Sequence, residues 1–227
     1  ELLRPALANV DTLLIVVAAT EPGPDLELVD KLLLYCAQQG VRPVIAVNKC
    51  DEGPTEQAQS VAAQYNGSGA ELIFVSAETG YGRERLFSAL ASSTAAFAGQ
   101  SAVGKSSLIN ALLGLGLKTG ELSLKTERGR HTTRHAELIP TPEGGLIADT
   151  PGFSLLEAVP LEPEELPRLY PEFELETPCR FNGCMHINEP DCAVKKAVEG
   201  GLIDKHRYER YKKIASEAIE ARRHKYD

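Results

Sequence analysis

Residues 99–107 carry the sequence Gly-Gln-Ser-Ala-Val-Gly-Lys-Ser-Ser, which fits the pattern G-x-x-x-x-G-K-[ST]. This pattern forms a phosphate-binding loop when a strand precedes it and a helix follows it. The apolar run at 94–98 predicts the strand, and the spaced leucines within 105–113 predict the helix. The stretch therefore indicates a nucleotide site at the end of a buried strand, and a chance glycine loop is the weaker alternative.

Each residue type in the loop has a chemical reason. Gly99 and Gly104 let the backbone turn so that its N–H groups point at phosphate oxygens. Lys105 is expected to reach the β- and γ-phosphates, and the Ser106 hydroxyl to ligate Mg²⁺. Ala102 stands where we expect glycine, although that position is variable in the pattern. The residues assigned to nucleotide binding here are Gly99, Gln100, Ser101, Ala102, Val103, Gly104, Lys105, Ser106 and Ser107.

The composition of the 227-residue chain is that of a globular protein with material for one large domain and a small addition. Its net charge of −8 argues against attraction of the whole surface to nucleic acid. The longest apolar run, 13–19, is too short to span a membrane. Five cysteines, an odd number, favour a reducing compartment, so we expect a cytoplasmic protein. Glu1 is not an initiator methionine, so we expect the natural N-terminus to be missing or processed.

The rest of the first 160 residues alternates between strand and helix patterns. Buried strands are predicted at 10–19, 41–47, 71–75, 94–98, 133–139 and 145–148, and helices at 25–39, 54–65, 82–90 and 105–113. Asp25 is expected to cap the first helix and Gly40 to end it. The alternation predicts an α/β fold with a doubly wound parallel sheet, which binds ligands at the carboxyl ends of its strands.

Three further motifs follow predicted strands. Asn48-Lys49-Cys50-Asp51 fits N-K-x-D, whose aspartate can accept both the N1–H and the amine of guanine, and therefore selects GTP over ATP. Ser76-Ala77 could supply a backbone N–H to guanine O6. Asp149 and Gly152 fit D-x-x-G, in which the aspartate holds Mg²⁺ through water and the glycine N–H senses the γ-phosphate. Turn and cap chemistry explains each motif alone, but together they predict a GTPase.

The order of these motifs is unusual. Ordinary GTPases have the phosphate-binding loop first and N-K-x-D late, whereas here N-K-x-D and Ser-Ala precede the loop. The chain is thus predicted to be circularly permuted, which is feasible because domain termini often lie close together. D-x-x-G then leads directly into the C-terminal segment, so a movement driven by the γ-phosphate could be passed to that segment.

The chain changes character near Pro160, and we place a boundary between a GTPase domain at 1–160 and a zinc-binding helical domain at 161–227. Cys179, Cys184, His186 and Cys192 supply three thiolates and one imidazole, which suit a structural, tetrahedral Zn²⁺ site. The alternative is a set of free buried cysteines. A helix is predicted over 203–225, and its charges form either a solvated face or an rRNA-facing surface. Its basic residues are Lys205, Arg207, Arg210, Lys212, Lys213, Arg222, Arg223 and Lys225.

The permuted order, the loop, the stretch Arg-Gly-Arg-His-Thr-Thr at 128–133, Asp-Thr-Pro-Gly-Phe at 149–153 and the Cys/His cluster together resemble the ribosome small subunit-dependent GTPase A family. The resemblance implies that Thr133 or Thr132 closes over Mg²⁺ and the γ-phosphate. It makes His131 a candidate for positioning the attacking water, because Phe153 stands where many GTPases carry a glutamine.

The resemblance also implies cofactors and partners. These are Mg²⁺ with GTP or GDP, one structural Zn²⁺, and the small ribosomal subunit with its rRNA; we expect a monomer and no membrane contact. The resemblance also implies an N-terminal OB-fold domain, which we expect to be absent from this chain. Two alternatives stay open: a permuted GTPase of large-subunit assembly, which lacks the Cys/His segment, and a zinc-containing RNA-binding module whose nucleotide site is degenerate.

Overall fold

A computed structural model describes residues 10–114, 137–142, 144–149 and 162–226 of the chain. The predicted boundary near Pro160 lies outside these residues, as does the first half of the strand predicted at 133–139. The strands are β1 (Thr12–Ala18), β2 (Arg42–Asn48), β3 (Glu71–Phe74), β4 (Thr94–Ala98), β5 (Glu137–Pro140) and β6 (Leu146–Asp149). The α-helices are α1 (Leu26–Gln39), α2 (Glu56–Gln64), α3 (Arg83–Leu90), α4 (Lys105–Leu113), α5 (Ala193–Glu199) and α6 (Lys205–Tyr226), and 3-10 helices span Pro163–Leu169 and Pro171–Phe173. Within the described residues the predicted elements are present and differ only at their ends.

The strands form one sheet in the order β3-β2-β1-β4-β6-β5. Neighbours are parallel except at the edge, where β5 runs antiparallel to β6. The prediction of an entirely parallel sheet is therefore wrong for β5. The connection from Pro140 to Leu146 is too short for the crossover that parallel strands need. Instead it forms a turn in which the Thr141 N–H donates to the Gly145 carbonyl at 2.8 Å.

The centre of the sheet is β1, whose seven residues are all buried, as the continuous apolar run predicts. Its two faces belong to different clusters of buried side chains. One cluster includes α1 and α2, and the other includes α3 and α4. The chain moves from β1 to β2 on one side, while β4 pairs with the other side of β1. Such a reversal of direction creates a crevice at the carboxyl ends of the two strands, where α/β proteins bind ligands.

Helix α1 begins and ends as the sequence predicts. The Asp25 side chain accepts a hydrogen bond from the Leu28 N–H at 3.0 Å, which satisfies one of the free donors at the helix start. Gly40 takes a left-handed conformation with φ of 67° and ends the helix. The helix is therefore fixed at both ends by local chemistry, and its buried face is free to pack on β1 and β2.

The C-terminal segment packs directly on α1 and α2 through a buried ionic cluster. Arg207 and Arg210 of α6 both bind Asp30 of α1, at 2.5 and 2.6 Å. The Tyr65 hydroxyl donates to the same carboxylate at 2.7 Å, and Arg207 also binds Glu172 at 2.6 Å. Asp30 is fully buried and Arg207 is 3% exposed. These two arginines therefore face inward, so neither alternative predicted for the helix, a solvated face or an rRNA-facing surface, holds for Arg207 and Arg210.

The cluster is electrostatically matched, with two carboxylates and two guanidinium groups. Burial alone would lower the pKa of Arg207, but the carboxylates of Asp30 and Glu172 outweigh it, so the pKa is raised. The Arg207 guanidinium also lies over the rings of Tyr65 and Tyr170, at 5.0 and 4.8 Å. The charge is thus held in place by several partners at once.

No helix within the described ranges is both long enough and apolar enough to cross a membrane.

Replacing Arg207 with Met should lower the free energy of unfolding by about 3–5 kcal/mol, because Glu172 and Asp30 lose a buried countercharge. Urea denaturation measures the change. Lys213→Met is the matched control, since Lys213 also joins α6 to α1, but through an exposed pair with Glu27. We expect its denaturation midpoint to stay unchanged. Equal midpoints for Arg207→Met and the wild-type chain would contradict the prediction.

Candidate functional site

The loop after β4 is shaped by two glycines that tolerate no side chain. Gly99 has φ of 135°, and a Cβ there would lie 2.2 Å from the Val16 carbonyl oxygen of β1. Gly104 has φ of 96°, and a Cβ there would lie 2.3 Å from Asn48 Nδ2. The first glycine lets the loop rise against β1, and the second lets the asparagine side chain reach the loop backbone.

Lys105 is the first residue of α4, and its side chain lies across the loop. The ammonium donates to the carbonyls of Gly99 and Gln100, both at 2.6 Å. Burial lowers its pKa. An ammonium carries three donors, so after donating to these two carbonyls Lys105 has one donor left for a phosphate oxygen. Ser106 and Ser107 follow in the first turn of the same helix, whose N-terminus favours an anion.

The unexpected Ala102 occupies a position that suits glycine. Its φ is 64°, in the left-handed region where a Cβ costs about 1–2 kcal/mol. The sequence expectation of a glycine there has this physical basis. The neighbouring Val103 is fully buried, which anchors the loop beside the strained residue.

Asn48 joins the phosphate-binding loop to the loop that follows β3. Its Nδ2 donates to the Val103 carbonyl at 2.8 Å, and its Oδ1 accepts from the Ala77 N–H at 3.1 Å. The residue is 2% exposed, so both hydrogen bonds are shielded from water. The Ala77 N–H, which the sequence assigns to guanine O6, here donates within the protein.

Asp51 lies beside Ser76 at the ends of β2 and β3. The Ser76 hydroxyl donates to the Asp51 carboxylate at 2.6 Å and accepts from the N–H groups of Glu78 and Thr79. Asp51 is exposed, while Ser76 is buried. The serine thus fixes the orientation of a carboxylate that remains open to solvent. Lys49 has φ of 67°, and its ammonium donates to the Glu21 carbonyl in the connection from β1 to α1.

The D-x-x-G residues and the switch residues, which are His131, Thr132 and Thr133, are only partly described. Asp149 ends β6, which pairs with β4, so its backbone lies at the same edge of the sheet as the loop at 99–107. The other predicted residues, and the side chain of Asp149, lie outside the described part of the chain. These residues are His131, Thr132, Thr133 and Gly152.

The four predicted metal ligands form a cluster of their own in the C-terminal segment. The ligand atoms of Cys179, Cys184, His186 and Cys192 all lie within 4.8 Å of one another. Cys179 Sγ is 3.8 Å from Cys192 Sγ and 3.5 Å from His186 Nδ1, which is itself 3.3 Å from Cys192 Sγ. Cys36 and Cys50 are buried elsewhere in the sheet domain, as expected of ordinary core thiols.

Outer contacts hold this cluster in shape. The Ala193 N–H, at the start of α5, donates to Cys179 Sγ at 3.3 Å. Burial works to raise the pKa of Cys179, but backbone hydrogen bonds outweigh it and the pKa is lowered. Burial raises the pKa of Cys184 to about 12. A cation must therefore displace the Cys184 proton, which is the usual chemistry of a thiolate metal site.

Two further sets of contacts, one made by Asp30 and one by Gln100, do not correspond to any sequence motif. Asp30 sits among apolar residues on the buried face of α1, and a lone buried acid in such a pattern signals a distant positive partner. Gln100, counted among the loop residues, uses its side chain to bind the connection between β1 and α1. Nothing in the sequence identifies that second contact.

Comparisons with known proteins show which family and fold this chain resembles. Residues 1–159 match the family described as RsgA GTPase. The Small ribosomal subunit biogenesis GTPase RsgA of Moorella thermoacetica is 49% identical over 218 residues, which cover 95% of this chain and 75% of the relative. The crystal structure of YjeQ from Thermotoga maritima is similar with a TM-score of 0.80 and 36% identity, over 96% of this chain and 74% of that one.

A second crystal structure, of YloQ, described as a circularly permuted GTPase, has a TM-score of 0.77 and 35% identity, over 97% of this chain and 72% of that one. The predicted fold class, a circularly permuted P-loop GTPase sheet, is confirmed by these matches.

Replacing Ala102 with Gly should stabilise the protein by about 1 kcal/mol, because it removes the left-handed strain. Thermal unfolding measures the effect. Ala91→Gly is the matched control, since Ala91 has φ of −57° and gains only backbone freedom in the unfolded chain. We therefore expect the two substitutions to shift the melting temperature in opposite directions. A fall in the melting temperature of Ala102→Gly would contradict the prediction.

Proposed function

This chain belongs to the RsgA GTPase family, and on that premise we propose that it hydrolyses GTP in the maturation of the small ribosomal subunit. The observation that carries the proposal is the position of Asn48 between the loop at 99–107 and Ala77. Through this side chain the guanine motif and the phosphate loop become two ends of one site. The family match also sets aside the alternative of a large-subunit assembly GTPase.

Guanine would be recognised by Asp51. Its carboxylate can accept from the N1–H and the exocyclic amine of guanine, and Ser76 holds it in place. Adenine does not offer this pair of donors. Asn48 and Ala77 act by keeping the loops around the base in register, and the Lys49 ammonium binds the Glu21 carbonyl of the neighbouring connection.

The triphosphate would lie over the loop at 99–107. The loop N–H groups and the Lys105 ammonium supply positive charge where negative charge develops in the transition state. Ser106 and Asp149 are the residues that would hold Mg²⁺, Asp149 through water. Bound at these residues, Mg²⁺ would neutralise part of the phosphate charge.

Hydrolysis proceeds by in-line attack of water on the γ-phosphate. We assign the positioning of that water to His131, the closing of the site to Thr132 or Thr133, and the sensing of the γ-phosphate to the Gly152 N–H. Family resemblance supports these roles. Intrinsic turnover should be slow, because Phe153 replaces the glutamine that orients water in many GTPases. Binding to the small subunit would order the switch and accelerate the reaction.

The C-terminal cluster would hold one structural Zn²⁺. Around a tetrahedral zinc ion, sulfur ligands lie about 3.8 Å apart and a sulfur and a nitrogen about 3.5 Å apart, given bonds of about 2.3 and 2.0 Å. The separations of Cys179, His186 and Cys192 are close to these values. A Cys₃His set fills all four positions, so the ion has no open site for catalysis.

Contact with rRNA is proposed for the exposed side of the zinc-binding segment, not for the inner face of α6. Phe181 is 44% exposed, and the Arg180 guanidinium lies over its ring at 5.5 Å. Aromatic and guanidinium planes of this kind stack on unpaired bases. The chain would act as a monomer in the cytoplasm, where small subunits mature.

GTP hydrolysis should rise by at least tenfold when purified small subunits are added, because the subunit orders the switch residues. Phosphate release measures the rate. Lys105→Ala serves as the control and should lose activity with and without subunits, since the phosphates lose their fixed cation. Equal wild-type rates in the presence and absence of subunits would contradict the proposed function.

Binding of mant-GTP separates this function from that of an RNA-binding module with a degenerate nucleotide site. The wild-type chain should bind mant-GTP. GTP and GDP should displace the bound mant-GTP, whereas ATP should not. Lys105→Ala should bind at least tenfold more weakly. Identical signals from wild type and Lys105→Ala would mean that the site is degenerate.

Purified protein should contain one zinc ion per chain, and a chelator should lower its melting temperature, because Phe181, Met185 and Ile187 are the only large apolar side chains in the sequence between Cys179 and Cys192. Elemental analysis and thermal unfolding followed by circular dichroism measure the two effects. Cys184→Ser should lose the metal, whereas Cys36→Ala, which removes a buried thiol elsewhere, should retain it. A full zinc content in Cys184→Ser would count against the assignment.

A further inference from the structure

We propose that α1 couples the C-terminal segment to the phosphate-binding loop, with Gln100, Asp30 and Arg210 as positioning residues for nucleotide binding. The inference rests on the proposed function only in requiring that the loop at 99–107 binds a nucleotide. It adds a route by which the state of the C-terminal segment alters nucleotide affinity. Three sets of contacts carry it.

The first contacts join the loop to the start of α1. Gln100 Oε1 accepts from the Asp25 N–H at 2.7 Å, and Gln100 Nε2 donates to the Gly23 carbonyl at 3.0 Å. Two hydrogen bonds from one amide fix the side chain in both direction and rotation. Asp25 is the residue that caps α1, so its position is the position of the helix N-terminus. A shift of α1 along its axis therefore pulls on the loop backbone at Gln100.

The second contacts lie one turn further along α1. Asp30 is fully buried, and its carboxylate takes hydrogen bonds from Tyr65, Arg207 and Arg210. Arg210 also binds Gln64 of α2 at 2.8 Å. A buried carboxylate cannot lose such partners cheaply, because no water replaces them. Hence α1 cannot move relative to α6 without breaking these bonds, and the two helices have one preferred register.

The third contacts tie α6 to the metal-ligand cluster. The Tyr208 hydroxyl donates to the His186 carbonyl at 2.6 Å, and the Tyr211 hydroxyl donates to the Met185 carbonyl. Tyr211 is fully buried and packs edge-on against Phe173. The cluster, α6, α1 and the loop thus form a continuous series of direct contacts. If the loop position that suits a nucleotide also suits docked α6, each favours the other to the same extent.

A double-mutant cycle on nucleotide affinity tests the coupling. Gln100→Met keeps the side-chain length and removes both hydrogen bonds, and Arg210→Met removes one guanidinium from Asp30. Each substitution alone should raise the dissociation constant for mant-GDP about fivefold or more. In the Gln100→Met background, Arg210→Met should change the dissociation constant less than twofold, because the hydrogen bonds that join the loop to the start of α1 are already lost.

Lys205→Met is the matched control. Lys205 is the first residue of the same helix, and its side chain is exposed. We expect the control to bind mant-GDP like the wild-type chain. Fully additive effects of Gln100→Met and Arg210→Met would overturn the inference while leaving the proposed function intact. Failure of the wild-type chain to bind mant-GDP would overturn both.

Hydrogen exchange of the zinc-loaded wild-type chain gives a second test that does not depend on folding of the Arg210 variant. Saturating GDP should slow exchange by at least threefold at amides of α6 near 205–215 as well as at 99–107. In Gln100→Met, saturating GDP should still protect the loop but no longer α6. Loop protection without any change in α6 of the wild-type chain would overturn the inference.

Discussion

The side-chain amide of Asn48 is the contact on which the candidate nucleotide site depends. It has one acceptor and a donor group, and at 2% exposure it uses them to join the Val103 carbonyl to the Ala77 N–H. The two loops that it joins follow different strands, so no local turn could hold them together. The conformation of Gly104 serves the same contact, because any side chain there would displace the amide. One buried side chain therefore keeps the base end and the phosphate end in a fixed relation.

This dependence on space, not on chain order, explains how a permuted sequence can build the site. The motif residues lie at the carboxyl ends of β2, β3, β4 and β6, which meet at one edge of the sheet whichever strand comes first in the chain. The motifs and buried strands could therefore be predicted from the sequence, because each depends on a short stretch. The strand pattern of β5 does not give its orientation, but the short connection between Pro140 and Leu146 does, because it cannot hold the crossover that parallel strands need.

The interior charges of the C-terminal segment mark where such prediction ends. Arg207 and Arg210 have the same appearance in the sequence as the exposed basic residues around them. Their partner Asp30 lies 177 residues from Arg207, and only the folded chain brings it near. The hydrogen bonds of the Gln100 side chain to the connection between β1 and α1 could not be predicted for a similar reason. Its partners there are backbone groups, which any sequence would provide. The Cys/His cluster was easier to predict, because four donors of the right type lie within one short stretch.

The buried ion pair between Asp30 and Arg207 also determines when, during synthesis of the chain, the interior around α1 can close. The acid leaves the ribosome 177 residues before the arginine that neutralises it. At about 5–20 residues per second, that interval is about 9–35 s. Throughout it the nascent α1 face must keep its carboxylate in water, so β1 and α1 can assemble with their neighbours but cannot close against the tail. Helix α6 therefore completes the interior around α1 long after α1 has been made, and a chain cut short before Arg207 would leave the buried Asp30 carboxylate without this partner.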